Sequence, residues 1–139
     1  MTSALTDRLM HVSLGMRRAA TLAYWLVLTT GTHWPRFRPP FQSVFPVDKL
    51  LHVGAFGILT LLLIWCRPFQ RLTVHHRSPD RANLLLSCLF AMALAAIDEL
   101  TQEIAWVNRD ATLNDWLADV GGVLLAVIIT LWTARRKPG

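Results

Sequence analysis

The chain has 139 residues, 53% of them hydrophobic and only 17% charged, with six Trp among its aromatics and a formal net charge of +5. Soluble domains run at about 45–50% apolar and about 25% charged, so this excess exceeds what one small core buries and points to an integral membrane protein. Disorder, a collagen-like fibre and a disulfide scaffold are excluded, and the basic residues form no aromatic-interleaved stripe of the kind that binds nucleic acid.

Four stretches lack charge: 19–35, 50–66, 82–97 and 120–134. Each is short against the roughly 17–25 residues of a spanning helix, so each needs polar flanks to complete a crossing. The first follows Met16-Arg17-Arg18, a basic lead of signal-peptide type, but ends in 29–34 without a small-x-small cleavage site and reads as an uncleaved span. The connection after it holds Pro35, Pro39, Pro40 and Pro46 and reads as an extended loop. The second run opens with Asp48, Lys49 and His52 and carries Gly54 and Gly57, small residues that permit close helix approach. The connection at 67–81 holds four Arg with His75-His76 and suits anionic lipid head groups. The third run reads ANLLLSCLFAMALAAI and the fourth VGGVLLAVIITLWTA; neither has the charged face of a water-exposed bundle helix. Cys66 and Cys88 fall inside apolar runs and read as packing or lipid-facing residues.

The expected architecture is therefore all-α: one membrane domain over 1–139, a four-helix bundle with spans near 18–34, 50–66, 83–103 and 115–133. Ten of the 14 Lys/Arg lie in the N-terminal arm, the 67–81 connection and the C-terminal tail, which places both termini in the cytoplasm and the protein, as a multi-pass chain, in the cytoplasmic (inner) membrane. Trp34, Trp106 and Trp116 fall near the outer interface and Trp132 near the inner one, as in aromatic belts. Seven of nine acids lie at or near the outer face: Asp48, Asp98, Glu99, Glu103, Asp110, Asp115 and Asp119.

Spacing shows which of these can meet. Asp48 and His52 share a helix face, as do Asp115 and Asp119, while Glu99, Gln102 and Glu103 follow i, i+3, i+4. At about 1.5 Å per residue, His52 and Asp119 lie roughly 6 Å deeper than Asp48 and Asp115. An ion at that depth costs on the order of 3 kcal/mol unless it faces the bundle interior and pairs. The expectation is an outward-opening polar pocket walled by spans 2, 3 and 4, with Lys49, Arg109 and His52 as cationic or switchable partners. Three uses compete: a structural pin in which Arg109 pairs with Glu99 or Asp115; recognition of a ligand; and acid–base or metal-assisted chemistry with His52 and Glu99 as catalytic candidates. His52 with Glu99, Asp115 and Asp119 has oxygen-rich ion-site chemistry, but no HExxH or similar spacing backs it, and no metal or other cofactor is assigned. There is no P-loop, GxGxxG or GxSxG.

Asp48-Lys49-Leu50-Leu51-His52-Val53-Gly54-Ala55-Phe56 resembles the DKxxHFxxY/F segment of VanZ-like membrane proteins. Asp98-Glu99-Leu100-Thr101-Gln102, then Arg109, Asp115 and Ala118-Asp119-Val120-Gly121, resemble that family's DExxQ…R…D…AD…G signature. The chain departs at Val53, where a larger or aromatic residue is usual, and at Val107-Asn108, where Pro-Gly is common. The resemblance implies a small multi-span helical protein of a family linked to resistance to glycopeptides such as teicoplanin. The expected ligand-binding set is Asp48, Lys49, His52, Glu99, Gln102, Arg109, Asp115 and Asp119. Its expected partners are the lipid bilayer and a cell-wall precursor or glycopeptide from the cell envelope, with self-association left open. The alternatives are a membrane-embedded hydrolase or transferase acting on a lipid-linked substrate, and a structural or assembly subunit.

Overall fold

The computed structural model describes residues 12–34, 47–69, 72, 79–104 and 112–135. Its described long elements are four α-helices: α1 (Leu14–Thr32), α2 (Val47–Cys66), α3 (Pro79–Gln102) and α4 (Leu113–Arg135). Each overlaps one of the stretches at 18–34, 50–66, 83–103 and 115–133. The proline-rich connection, His75-His76, Trp106 and Arg109 lie outside the described residues.

Local chemistry sets the helix ends. Ser13 caps α1 by accepting from the Met16 N–H at 3.3 Å. After α2, Arg67 takes a left-handed backbone (φ 47°), which stops the helix. Proline occupies the first position of α3, where its missing N–H costs nothing. Along the helices, Thr30, Thr60, Thr101 and Thr130 each donate to the carbonyl four residues back, at 2.7–2.8 Å, so their hydroxyls are satisfied without water.

Three helices are long and apolar enough to cross a membrane: α2, α3 from Asp80, and α4. Residues at 14–32 include Arg17, Arg18 and four threonines, and α1 is not among the three. The protein carries apolar side chains outward. Leu50, Ile58, Leu85, Leu89, Leu124 and Ile128 are exposed, as lipid-facing residues are. The interior is small and tight, built on Phe56, Leu59, Leu63, Ala91, Ala95 and Val123. Trp116 packs partly against this core, while Trp34 and Trp132 are exposed.

The helices run alternately up and down, and α2 packs most extensively on α4. Glycine permits that closeness: a Cβ on Gly122 would sit 2.2 Å from the Val53 carbonyl oxygen and 2.9 Å from the Gly57 nitrogen. The close approach falls one turn from His52 and Asp119, so backbone contact fixes their separation. At the opposite end, Thr21 donates to the Leu62 carbonyl (3.2 Å), Asn83 to the Ile64 carbonyl (3.4 Å), and Arg67 pairs with Asp80. Cys66 and Cys88 are both free thiols, the former buried.

Candidate functional site

The alternating topology brings the C-terminal ends of α1 and α3 beside the N-terminal ends of α2 and α4. At this end eleven polar or charged side chains gather: Thr32, His33, Asp48, Lys49, His52, Asp98, Glu99, Gln102, Thr112, Asp115 and Asp119 fall into three groups, whose hub residues are His52, Asp98 and Asp115.

The deepest group joins three helices. His52 of α2 is hydrogen-bonded through Nδ1 to Asp119 Oδ1 of α4 at 2.9 Å. Glu99 of α3 brings Oε1 to 4.0 Å from the same nitrogen. Asp119 is fully buried, and His52 and Glu99 are 8% and 6% exposed. Glu99 Oε2 accepts from the Thr112 backbone N–H at 3.3 Å. Glu99 Oε1 and Asp119 Oδ2 are buried with no hydrogen-bond partner among the described residues.

The second group sits at the start of α4. Thr112 Oγ1 caps the helix by accepting from the Asp115 N–H (3.1 Å) and donates to Asp115 Oδ2 (2.6 Å). Lys49 pairs with Asp115 Oδ1 and lies 3.7 Å from Asp48. Lys49 therefore clamps two carboxylates together. The pin expected of Arg109 lies outside the described residues; among these it is Lys49 that pairs with Asp115.

The third group ties α1 to α3. Thr32 donates to Asp98 Oδ1 (2.9 Å), and Gln102 donates to Asp98 Oδ2 (3.0 Å). His33 Nδ1 lies 3.6 Å from Asp98, and its Nε2 bonds Thr101 at 2.8 Å. Spacing alone singled out Gln102 with Glu99 and Glu103. In the structure Glu103 is exposed, and Gln102 turns to Asp98. The i, i+4 relation of Asp98 to Gln102 was a readable signal for this pair. Thr32, His33 and Thr112 gave none, since hydroxyls and a histidine at helix ends are common in any bundle.

Beside the cluster lies a groove of about 540 Å³. Its walls belong to α1 and α2: Tyr24, Leu28, Gly31, Leu51 and Phe56 supply the apolar lining, and Asp48 and His52 the polar end. The opening thus lies between α1 and α2, whereas the carboxylates are gathered by α2, α3 and α4; His52 faces both. Tyr24 closes the far side of this seam by donating to the Ala55 carbonyl at 3.0 Å.

Compared with known sequences, the chain matches the VanZ/LLP1 family model over residues 9–134. No curated protein and no solved structure gives a match.

Proposed function

The chain belongs to the VanZ/LLP1 family, and on that premise we propose that it recognises an amphiphilic molecule of the cell envelope, taken sideways from the outer leaflet of the cytoplasmic membrane. The observation that carries this reading is the groove: an apolar channel between α1 and α2 that ends on Asp48 and His52. Its volume falls in the roughly 300–1,000 Å³ range of small-molecule sites. An acyl or prenyl tail lies along Tyr24, Leu28, Gly31 and Phe56, and the polar head meets the ionisable cluster.

Charge selects the head group. Asp48, Asp98, Glu99, Asp115 and Asp119 gather at one end of the helices, and among the described Lys and Arg residues Lys49 pairs with two of them, Asp48 and Asp115. Such a site favours a head rich in N–H and O–H donors, such as an amino sugar, a peptide stem or a glycopeptide. Lys49 holds the rim acids, Gln102 supplies neutral hydrogen bonds, and His52 joins the groove to the carboxylates. In this reading α1 is a fourth span, and both termini are cytoplasmic by the excess of Lys/Arg on that side.

The test titrates teicoplanin, and separately a polyprenyl-diphosphate-linked cell-wall precursor, into the full chain in nanodiscs, followed by tryptophan fluorescence (Trp34 rims the groove). A Cβ on Gly31 meets nothing within 4 Å, so Gly31→Phe fills the groove without a backbone clash. Saturable binding of one probe, weakened at least tenfold by Gly31→Phe, is expected. Binding that Gly31→Phe leaves unchanged, or none of either probe, overturns the reading.

A further inference from the structure

We propose that His52, Glu99 and Asp119 form a binding site for a divalent transition-metal cation of the zinc class, with His52 Nδ1 and one oxygen of each carboxylate as ligands. The proposal stands on a different observation from the groove and does not depend on the amphiphile.

Distance is the first support. Zinc bonds of about 2.0–2.2 Å to nitrogen and oxygen in a tetrahedral arrangement place neighbouring ligand atoms roughly 3.4 Å apart. His52 Nδ1 stands 2.9 Å from Asp119 Oδ1 and 4.0 Å from Glu99 Oε1, and the three ligand atoms all lie within 4.8 Å of one another. Small side-chain rotations convert this triangle into a coordination face. With the ring proton on Nε2, the Nδ1 lone pair points to the metal.

The second support is unmet demand. Glu99 Oε1 and Asp119 Oδ2 are acceptors with no partner among the described residues, on side chains 8% and 0% exposed. A buried carboxylate oxygen without a donor or cation is costly. Lys49 is engaged by Asp48 and Asp115, and no described Lys or Arg forms an ion pair with Glu99 or Asp119. A divalent ion offsets both carboxylates at once.

Donor chemistry selects the class. Imidazole suits zinc and its neighbours, whereas calcium and magnesium prefer six or more oxygens or retained waters. Three protein ligands also leave a coordination position open. A neighbouring triangle, Asp48, His52 and Asp115, has similar spacing. It is the weaker candidate, because both Asp115 oxygens are already held by Lys49 and Thr112.

The experiment uses the full chain in detergent micelles, stripped with chelator. Zn2+ is titrated by calorimetry and Co2+ by its visible absorption. One equivalent per chain is expected, not displaced by a hundredfold excess of Mg2+. Glu99→Gln and Asp119→Asn should each weaken Zn2+ binding at least tenfold, while Glu103→Gln, altering an exposed acid one turn away, leaves it unchanged. Size-exclusion profiles check that each variant is folded; where Asp119→Asn is not, Glu99→Gln and His52→Gln decide. Absence of saturable binding overturns the proposal. So does binding insensitive to these substitutions, or binding lost equally in Glu103→Gln.

Discussion

Replacing Gly122 with Ala adds one methyl group at the tightest point between α2 and α4. That Cβ would lie 2.2 Å from the Val53 carbonyl oxygen and 3.0 Å from the Val53 carbonyl carbon. Carbon–oxygen contacts between packed backbones run at about 3.3–3.6 Å, so relief requires roughly 1 Å of separation. Both obstacles are backbone, so no side-chain rotation provides it. His52 and Asp119 sit one turn away on the same two helices, 2.9 Å apart. The same displacement takes them beyond hydrogen-bond reach. Overpacking costs about 1–3 kcal/mol, and breaking a charge-assisted hydrogen bond about 1.5–3 kcal/mol, so a combined loss of roughly 2.5–6 kcal/mol is expected. Unfolding in mixed micelles, titrated with SDS, measures it. Gly54→Ala is the control: a Cβ there meets nothing within 4 Å, and alanine improves helix propensity by up to about 1 kcal/mol. Equal midpoints for Gly122→Ala and the parent chain, or equal damage from Gly54→Ala, would refute the argument that backbone contact sets the site.

Thr32→Val removes the hydroxyl that donates to Asp98 at 2.9 Å; leaving a buried acceptor short of a donor should lower stability by about 1–3 kcal/mol in the same titration. Lys49→Met leaves Asp48 and Asp115 facing one another without their shared cation; it should destabilise the fold, and Lys49→Met with Asp115→Asn should recover part of the loss. Arg67→Ala should change stability by no more than about 0.5 kcal/mol, because its pair with Asp80 is largely exposed. A reporter fused after Gly139 should be active in the cytoplasm; activity outside the cell would overturn the orientation expected from the distribution of Lys and Arg.

The helices were legible because their interiors carry no charge over 15–17 residues, and no soluble bundle of this length can cover such segments on all sides. The meeting of His52 with Asp119 followed from depth: each lies one turn further along its helix than Asp48 and Asp115, and Glu99 lies within one turn of the end of α3. Partner choice did not follow. Asp115 could take Arg109 or Lys49 by spacing alone, and three-dimensional placement shows it with Lys49. Asp98 points to α1 because the end of that helix offers Thr32 and His33, and periodicity within one helix says nothing about which neighbour lies opposite. The groove was hidden for a related reason. It depends on the space beside Gly31 between α1 and α2, a property of how two surfaces fail to meet, not of either surface alone.

Glu99 closes a loop of dependence across the molecule. Its Oε2 accepts from the backbone N–H of Thr112, the group that a residue of α4 itself would ordinarily serve from three positions on. The first turn of the last helix is thus finished by a side chain from its predecessor. The start of α4 is therefore complete only where α3 stands beside it. The same carboxylate turns its other oxygen toward His52 of α2, so one side chain couples the first turn of α4 to the deepest part of the polar cluster.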